Sequence, residues 1–243
     1  MEEIKINDKL NYVHLISGGL DSTYSLMNLT KSIIKGKKQR FEVSPVFFNY
    51  GQNAADAEFK CCEKVVNKIA SEFGVSDLLH KPLNILLCSD LFQWCKNVAF
   101  TGNEIGDETC EIQNRNMVLI SILASYLFAC AENQKIGSTC FEIHSGFKDG
   151  EMPDCKSEFF NKLSDLLSVY KPHYTIKLEL LPYLKRQQVI NKMKQLLRGS
   201  EIKLKQFMRI TISCYAPQNG KPCGLCWKCK KLKEEKVFDI RYR

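Results

Sequence analysis

A short apolar run over residues 12–16 breaks into Ser17-Gly18-Gly19-Leu20-Asp21-Ser22, and over residues 20–34 leucine, methionine and isoleucine recur at helical spacing. Strand, glycine turn and helix in immediate succession admit few architectures. The pattern then repeats. Residues 42–49 read as a strand, 54–73 as a helix closed by Gly74, 78–83 as a strand, 115–133 as a strongly apolar helix and 135–144 as a strand, followed by a helix at 156–170, a strand at 174–180 and a helix at 185–197. Strands alternating with helices imply crossover units around a mostly parallel sheet. The expected fold is an α/β three-layer sandwich.

A chain of 243 residues, 44% of them hydrophobic, closes one large core, or one core with a small appendage. Two polar stretches, 83–114 and 145–155, interrupt the alternation; long loops at the carboxyl ends of parallel strands are where such folds build their sites. Lys and Arg exceed Asp and Glu by 35 to 27, a mild net +8 that points toward anionic partners such as nucleotides. The start of the chain lacks a basic segment followed by an apolar stretch and a small-residue cleavage site. The apolar segment 117–131 is interrupted by Ser121, Ser125 and Tyr126 and is short for a bilayer. The expectation is a cytoplasmic protein with no membrane partner.

The turn after the first strand is a phosphate site by position, because backbone N–H groups converge there with the positive end of the helix dipole. Gly18 and Gly19 remove the Cβ atoms that would block close approach and permit positive φ, so successive amides can cup an anion. Ser17 and Ser22 add hydroxyl donors. Asp21 would repel a bare pyrophosphate, so its expected uses are helix capping or holding a Mg²⁺ that bridges phosphate oxygens. The string has neither the Gly-Lys-Ser/Thr ending of a Walker A loop nor the G-x-G-x-x-G spacing. A magnesium nucleotide is the natural ligand, which makes residues 1–199 a nucleotide-binding α/β domain.

After Gly199 the composition becomes basic and cysteine-rich. Of the 12 cysteines, Cys214, Cys223, Cys226 and Cys229 crowd together, with Pro222 and Gly224 supplying a tight turn, while the others are scattered singly in apolar contexts. Four soft ligands suit tetrahedral zinc best. Disulfides and an iron–sulfur cluster are the competing readings of such a set. Four thiolates around Zn²⁺ leave about −2, an electrostatic reason for Lys228, Lys230 and Lys231 to lie close, and no open coordination position. The metal is then structural, and roughly 10 kcal/mol of binding energy would fold a tail, 200–243, too small to fold alone.

The Ser17-Gly18-Gly19-x-Asp21-Ser22-Thr23 string resembles the pyrophosphate loop of the N-type ATP pyrophosphatases, the PP-loop superfamily of adenine nucleotide α-hydrolase-like folds. Four further matches narrow the resemblance to the QueC-like, 7-cyano-7-deazaguanine synthase, family: Tyr50-Gly51-Gln52 after the second strand, Arg115-Asn116 opening the apolar helix, Pro153-Asp154-Cys155 followed by Glu158-Phe159, and the Thr211-to-Cys229 tail. They span residues 12–229 in the family's order.

The resemblance implies an ATP-dependent ligase that activates 7-carboxy-7-deazaguanine as an adenylate with loss of pyrophosphate, then uses ammonia to form the amide and the nitrile of queuosine biosynthesis. It implies ATP held by Ile16, Ser17, Gly18, Gly19, Leu20, Asp21, Ser22 and Thr23. It places chemistry at Asp21, Ser22 and Arg115, and substrate contacts at Tyr50, Gln52, Arg115, Asn116, Asp149 and Asp154. Mg²⁺ and Zn²⁺ are the implied metals, and a homodimer the implied assembly. Arg115 suits this role because a planar guanidinium reaches two phosphate or carboxylate oxygens at once.

Three departures lie near the expected pocket. Asn53-Ala54 replaces Arg-His, Gln113-Asn114 replaces Pro-Gly, and Phe147-Lys148-Asp149-Gly150-Glu151-Met152 replaces Thr-Asp-Tyr-Ser-Gly-Tyr. Asn114 suits a left-handed position that a glycine would otherwise fill. Cys155 is expected as a buried thiol and His14 as a satisfied core histidine. Two other acceptors stay open: a protein amine, as in QueC-like antiviral-defence enzymes, or tRNA, suggested by the basic tail with Tyr215, Trp227 and Tyr242.

Overall fold

The computed structural model describes residues 3–36, 42–87, 114–150 and 153–235. Five parallel strands, β1 (Leu10–Leu15), β2 (Val43–Asn49), β3 (Leu83–Leu86), β4 (Thr139–Lys148) and β5 (Tyr174–Leu181), form one sheet in the order β3-β2-β1-β4-β5. Between them run α1 (Leu20–Lys35), α2 (Ala55–Phe73), α3 (Arg115–Asn133) and α4 (Ser157–Tyr170); α5 (Arg186–Leu196), α6 (Glu201–Ile210) and α7 (Trp227–Glu234) follow.

The two faces of the sheet bury separate cores. On one, Leu26 and Met27 of α1 pack with Val65 and Ile69 of α2, Val189 and Met193 of α5, Phe207 of α6 and Leu232 of α7. On the other, Leu123 and Leu127 of α3 and Phe160 of α4 cover Val13, Phe141 and Ile143. The expected α/β three-layer sandwich is the observed one. Because β2 and β4 flank β1 on opposite sides, the chain reverses its winding beside β1, and ligands of such sheets bind outside the strand ends at that reversal.

The strands depart from the sequence pattern in two places. The third strand, expected at 78–83, forms only an isolated bridge at Leu79, and the ladder with β2 runs over Leu83–Leu86. Pro82 has no N–H to give a ladder, so pairing resumes beyond it. The fourth strand, expected at 135–144, is displaced to Thr139–Lys148. Lys135, with φ +58, and the Ile136 N–H bond to the Ala131 carbonyl at 2.9 Å form the exit of α3, and the strand runs instead into the stretch read as loop. After an irregularity past His144, Lys148 still pairs with Leu181.

By length and composition α3 is the one described helix able to cross a membrane. Here its apolar side, Leu119 through Leu127, fills the core against the sheet. The tail also joins the main body: Leu204, Phe207 and Met208 of α6 and Leu232 of α7 belong to the core of α1 and α2.

His14 is fully buried, as expected, but is not satisfied: neither ring nitrogen has a hydrogen-bond partner. Burial drives its pKa down to about 3, so the ring is held neutral.

Candidate functional site

The glycine turn leaves β1 tied to β2 by the Ile16 N–H bond to the Val46 carbonyl at 2.9 Å. Gly18 adopts φ +69, and a Cβ there would stand 2.8 Å from the Glu58 carbonyl oxygen and 3.0 Å from Cys61 Cβ, so the position requires glycine on two counts. Gly19 caps α1 in extended geometry with no side-chain cap. No side-chain hydrogen bond to the Leu20, Asp21 or Ser22 N–H is among the described contacts, so the start of α1 suits an anion.

The hydroxyls hold the turn from within. Ser22 Oγ donates to the Gly19 carbonyl at 3.1 Å and accepts from the Ser17 N–H at 3.2 Å, while Thr23 Oγ1 donates to Gly19 at 2.8 Å.

Two features of β4 complete the turn. A Cβ on Gly146 would stand 2.6 Å from Ser22 N, so the strand backbone lies directly on the start of α1. Two residues on, the buried Lys148 places Nζ 3.2 Å from Asp21 Oδ1. Asp21 is thus held by a cation of the chain through one oxygen. Its second oxygen has no ion pair among the described contacts and is a hard donor of the kind that could hold a magnesium ion.

A crevice of about 320 Å³ opens from this turn. Gln52, buried, donates to the Phe48 carbonyl at 3.2 Å and to Glu58 Oε2 at 3.1 Å, and accepts from the Tyr50 N–H at 2.9 Å. Its amide holds the Tyr50-Gly51-Gln52 turn together. Arg115 hydrogen-bonds Tyr50 and feels Asp154 and Tyr215; burial opposes its charge, but these neighbours outweigh burial and raise its pKa.

Burial also raises Tyr50, against the opposing pull of Arg115. Asn114 takes the left-handed conformation expected of it, φ +56, and opens α3. Asn116 Nδ2 donates to the buried Cys155 thiol at 3.3 Å, and its buried Oδ1 has no partner. An orphaned acceptor in the crevice wall fits a ligand bearing N–H donors.

The four tail cysteines converge, their sulfurs all within 4.8 Å of one another. Cys214 and Cys223 stand 3.5 Å apart and Cys214 and Cys226 4.0 Å apart, bracketing the ~3.8 Å sulfur separation of a tetrahedral site with 2.3 Å bonds. Backbone N–H groups of Cys223 and Cys226 donate to Cys214 and Cys223 sulfurs at 3.2 and 3.3 Å, which stabilises thiolates. With no ion bound, the thiols share protons among themselves: hydrogen bonds from Cys214 and Cys229 pull the Cys226 thiol well down, and those with Cys226 and Cys229 push Cys214 up. The set is suited to a metal ion.

The two assemblies touch. The Ile212 N–H donates to the Gly18 carbonyl at 2.9 Å, so the strand-like segment entering the cysteine cluster pairs with the glycine turn. Ser213, Tyr215 and Lys228 of the tail then line the same crevice as Asp21 and Arg115. Arg186 of α5 lines it too and is paired with Glu235 at 2.5 Å.

Of the residues singled out in the sequence, Ile16, Ser17, Gly19, Leu20, Asp21, Ser22, Tyr50, Gln52, Arg115 and Asn116 border one crevice. Gly18 and the buried Thr23 do not line it. Asp154 acts on it through Arg115, and Asp149 is not brought there. The Asp149 carboxylate instead accepts from the Ser157 N–H at 2.8 Å and its hydroxyl at 2.5 Å, capping α4. Cys155 is buried, as expected. Glu151, Met152 and Tyr242 lie outside the described residues.

Sequence reasoning missed Gly146, Lys148, Glu58 and Arg186. A lone glycine in a strand does signal close backbone approach, but 145–155 read as a loop.

The family model described as queuosine biosynthesis protein QueC matches residues 11–236. The 7-cyano-7-deazaguanine synthase of Leptospira interrogans (strain Fiocruz L1-130) is 31% identical over 89% of this chain and 82% of its own length. The synthase of Methanobrevibacter smithii is 27% identical over 94% of each. A solved structure, the U34-tRNA thiolase NcsA from Methanococcus maripaludis with its [4Fe-4S] cluster, overlaps 81% of this chain and 58% of its own at 12% identity and a TM-score of 0.34, too low to bear on fold or chemistry.

Proposed function

The chain belongs to the QueC family, and from that premise we propose that it is an ATP-dependent ligase. It adenylates 7-carboxy-7-deazaguanine with release of pyrophosphate and then admits ammonia to give the amide and the nitrile. The observation that carries the reading is the side-chain-free start of α1, set at the β1 end on a crevice that also presents Arg115 and the orphaned Asn116 oxygen.

Attack of a carboxylate oxygen on the α-phosphorus breaks the bond to pyrophosphate, and no protein nucleophile is needed. The amides of residues 18–22 and the α1 dipole hold the departing phosphates. Mg²⁺, when bound at Asp21, would neutralise charge on those oxygens. Lys148 keeps the Asp21 carboxylate oriented. Arg115, fixed by Tyr50, aligns the carboxylate or phosphate oxygens. Cys214, Cys223, Cys226 and Cys229 would hold a structural zinc ion, which would keep Ser213 and Tyr215 at the crevice wall. A homodimer in solution goes with this reading.

Incubation with Mg-ATP and 7-carboxy-7-deazaguanine, with and without ammonium, tests it. AMP and pyrophosphate with the acid, and a nitrile by mass once ammonium is added, are expected; no pyrophosphate with the acid would overturn it.

A second reading keeps adenylation but passes the acyl group to a protein amine. It is prompted by the divergence of 83–114 and 145–155 from the family pattern, where Lys148, paired with Asp21, replaces an acidic residue. A mass increase on an added protein, with no free nitrile, would select it. The tRNA reading has less support: Trp227, its base-stacking candidate, carries Lys231 over its ring at 4.9 Å.

A further inference from the structure

Nitrogen attack on an activated carboxyl releases a proton. At neutral pH ammonium has no lone pair to attack with, so a base must stand near the reacting carbon. The crevice narrows the choice. Among the described residues lining it there are two carboxylates, Asp21 and Glu58, and no histidine. Lys148 holds Asp21, Cys214 belongs to the cysteine set, and the other charged side chains lining the crevice are cations. The serine and tyrosine hydroxyls are too weakly basic for the task.

Glu58 is built differently from Asp21. It sits in the first turn of α2, and its carboxylate is oriented by the neutral, buried Gln52 amide at 3.1 Å, with no ion pair among the described contacts. Its own backbone carbonyl packs behind Gly18, which places it beside the phosphate turn. Arg115 from α3 faces it, hydrogen-bonded to Tyr50 from the β2–α2 turn. Cys62 lies on its own helix, and Asp154 and Tyr215 act on Arg115 from beyond.

We infer that Glu58 is the catalytic base that takes a proton from ammonium and so frees the lone pair that attacks the activated carboxyl carbon. This rests on the adenylation reading above. Ammonium gives one proton to the Glu58 carboxylate, which passes it to solvent; the N–C bond forms, the C–O bond to AMP breaks with its electron pair leaving on AMP, and the second proton, shed as nitrogen becomes the amide, goes to solvent. Burial lifts the Glu58 pKa to about 7, against the opposing pull of Gln52 and Arg115, so the group is both ionised and basic near neutrality.

Glu58→Gln preserves the hydrogen bond with Gln52 and removes the base. Pyrophosphate release with acid and Mg-ATP, and amide formation with ammonium, are measured from pH 6 to 9. Amide formed per pyrophosphate released is expected to fall about 100-fold in the variant, and the rise of amide formation through neutral pH to disappear. Hydroxylamine, already unprotonated at neutral pH, should narrow the deficit, and Glu58→Asp should restore the pH limb at a lower rate.

An unchanged product ratio and pH limb in Glu58→Gln would overturn the assignment. So would an equal deficit with ammonium and hydroxylamine, which marks a purely structural role. Wild-type protein that releases no pyrophosphate with the acid would instead bring down the adenylation reading, and this assignment with it.

Discussion

The glycine turn and the cysteine tail lie against each other, yet opposite means hold them in shape. The turn is made by backbone: Gly18 and Gly19 carry no side chain, and the surrounding geometry is imposed by β1, β4 and α2, whose cores lie on both faces of the sheet. The tail is made by side chains: its own buried cluster is little more than Ile212, Cys214, Cys226 and Cys229, far too small to hold a fold by burial alone. The glycine turn is therefore set by the surrounding sheet, whereas the cysteine segment beside it has the sulfur geometry that a metal ion could hold together.

The hydrogen bond from Ile212 to Gly18 joins the two regions.

Removing the metal is the most direct way to break that contrast. Cys226→Ser is expected to lose the bound metal and about 10 kcal/mol of tail stability, read by elemental analysis and proteolysis of the tail. ATP affinity should weaken with it, because Ser213 and Tyr215 leave the crevice wall; unchanged affinity would show the two regions to be energetically separate.

Gly18→Ala attacks from the other side. It combines a left-handed alanine with a 2.8 Å approach to a backbone oxygen, and should cost about 3 kcal/mol in chemical denaturation, abolish ATP binding and leave the metal content intact.

Titration sharpens the difference further. The Glu58 pKa is raised from 4.5 to about 7 by burial, so its contribution to stability is fully present below 4.5 and is lost as pH rises through about 7. Glu58→Gln should therefore be more stable than the parent at pH 8, by about 2 kcal/mol after allowance for partial exposure, and not at pH 4. Melting curves across that range check it.

The smallest effect belongs to neither region. Ser200 caps α6 by accepting from the Lys203 N–H at 3.3 Å, and Ser200→Ala should cost about 1 kcal/mol without altering metal content or ATP affinity.

Local rules of the chain went far. The Ser17–Thr23 string was readable as a strand end, a glycine turn and a helix start, because those signals lie within a few residues of one another. The cysteine spacing announced a metal set because ligand chemistry is independent of context. Asn114 was readable as a left-handed helix start for the same reason. Where a strand's limits depended on its neighbours, the pattern misled: β3 waits until after Pro82, and β4 runs on to Lys148 because β5 is there to pair with it.

What the sequence by itself determined was the alternation of elements, the glycine turn and the four-sulfur set, all set by interactions among residues close along the chain. Only the tertiary structure decided that Lys148 reaches Asp21, that Gln52 orients Glu58, that Asp149 caps a helix away from the crevice, and that the tail pairs with the turn through Ile212. Lys148–Asp21 and Ile212–Gly18 join residues more than a hundred positions apart. Sheet order, strand twist and helix packing bring them together, and no local pattern of residue types encodes such distances.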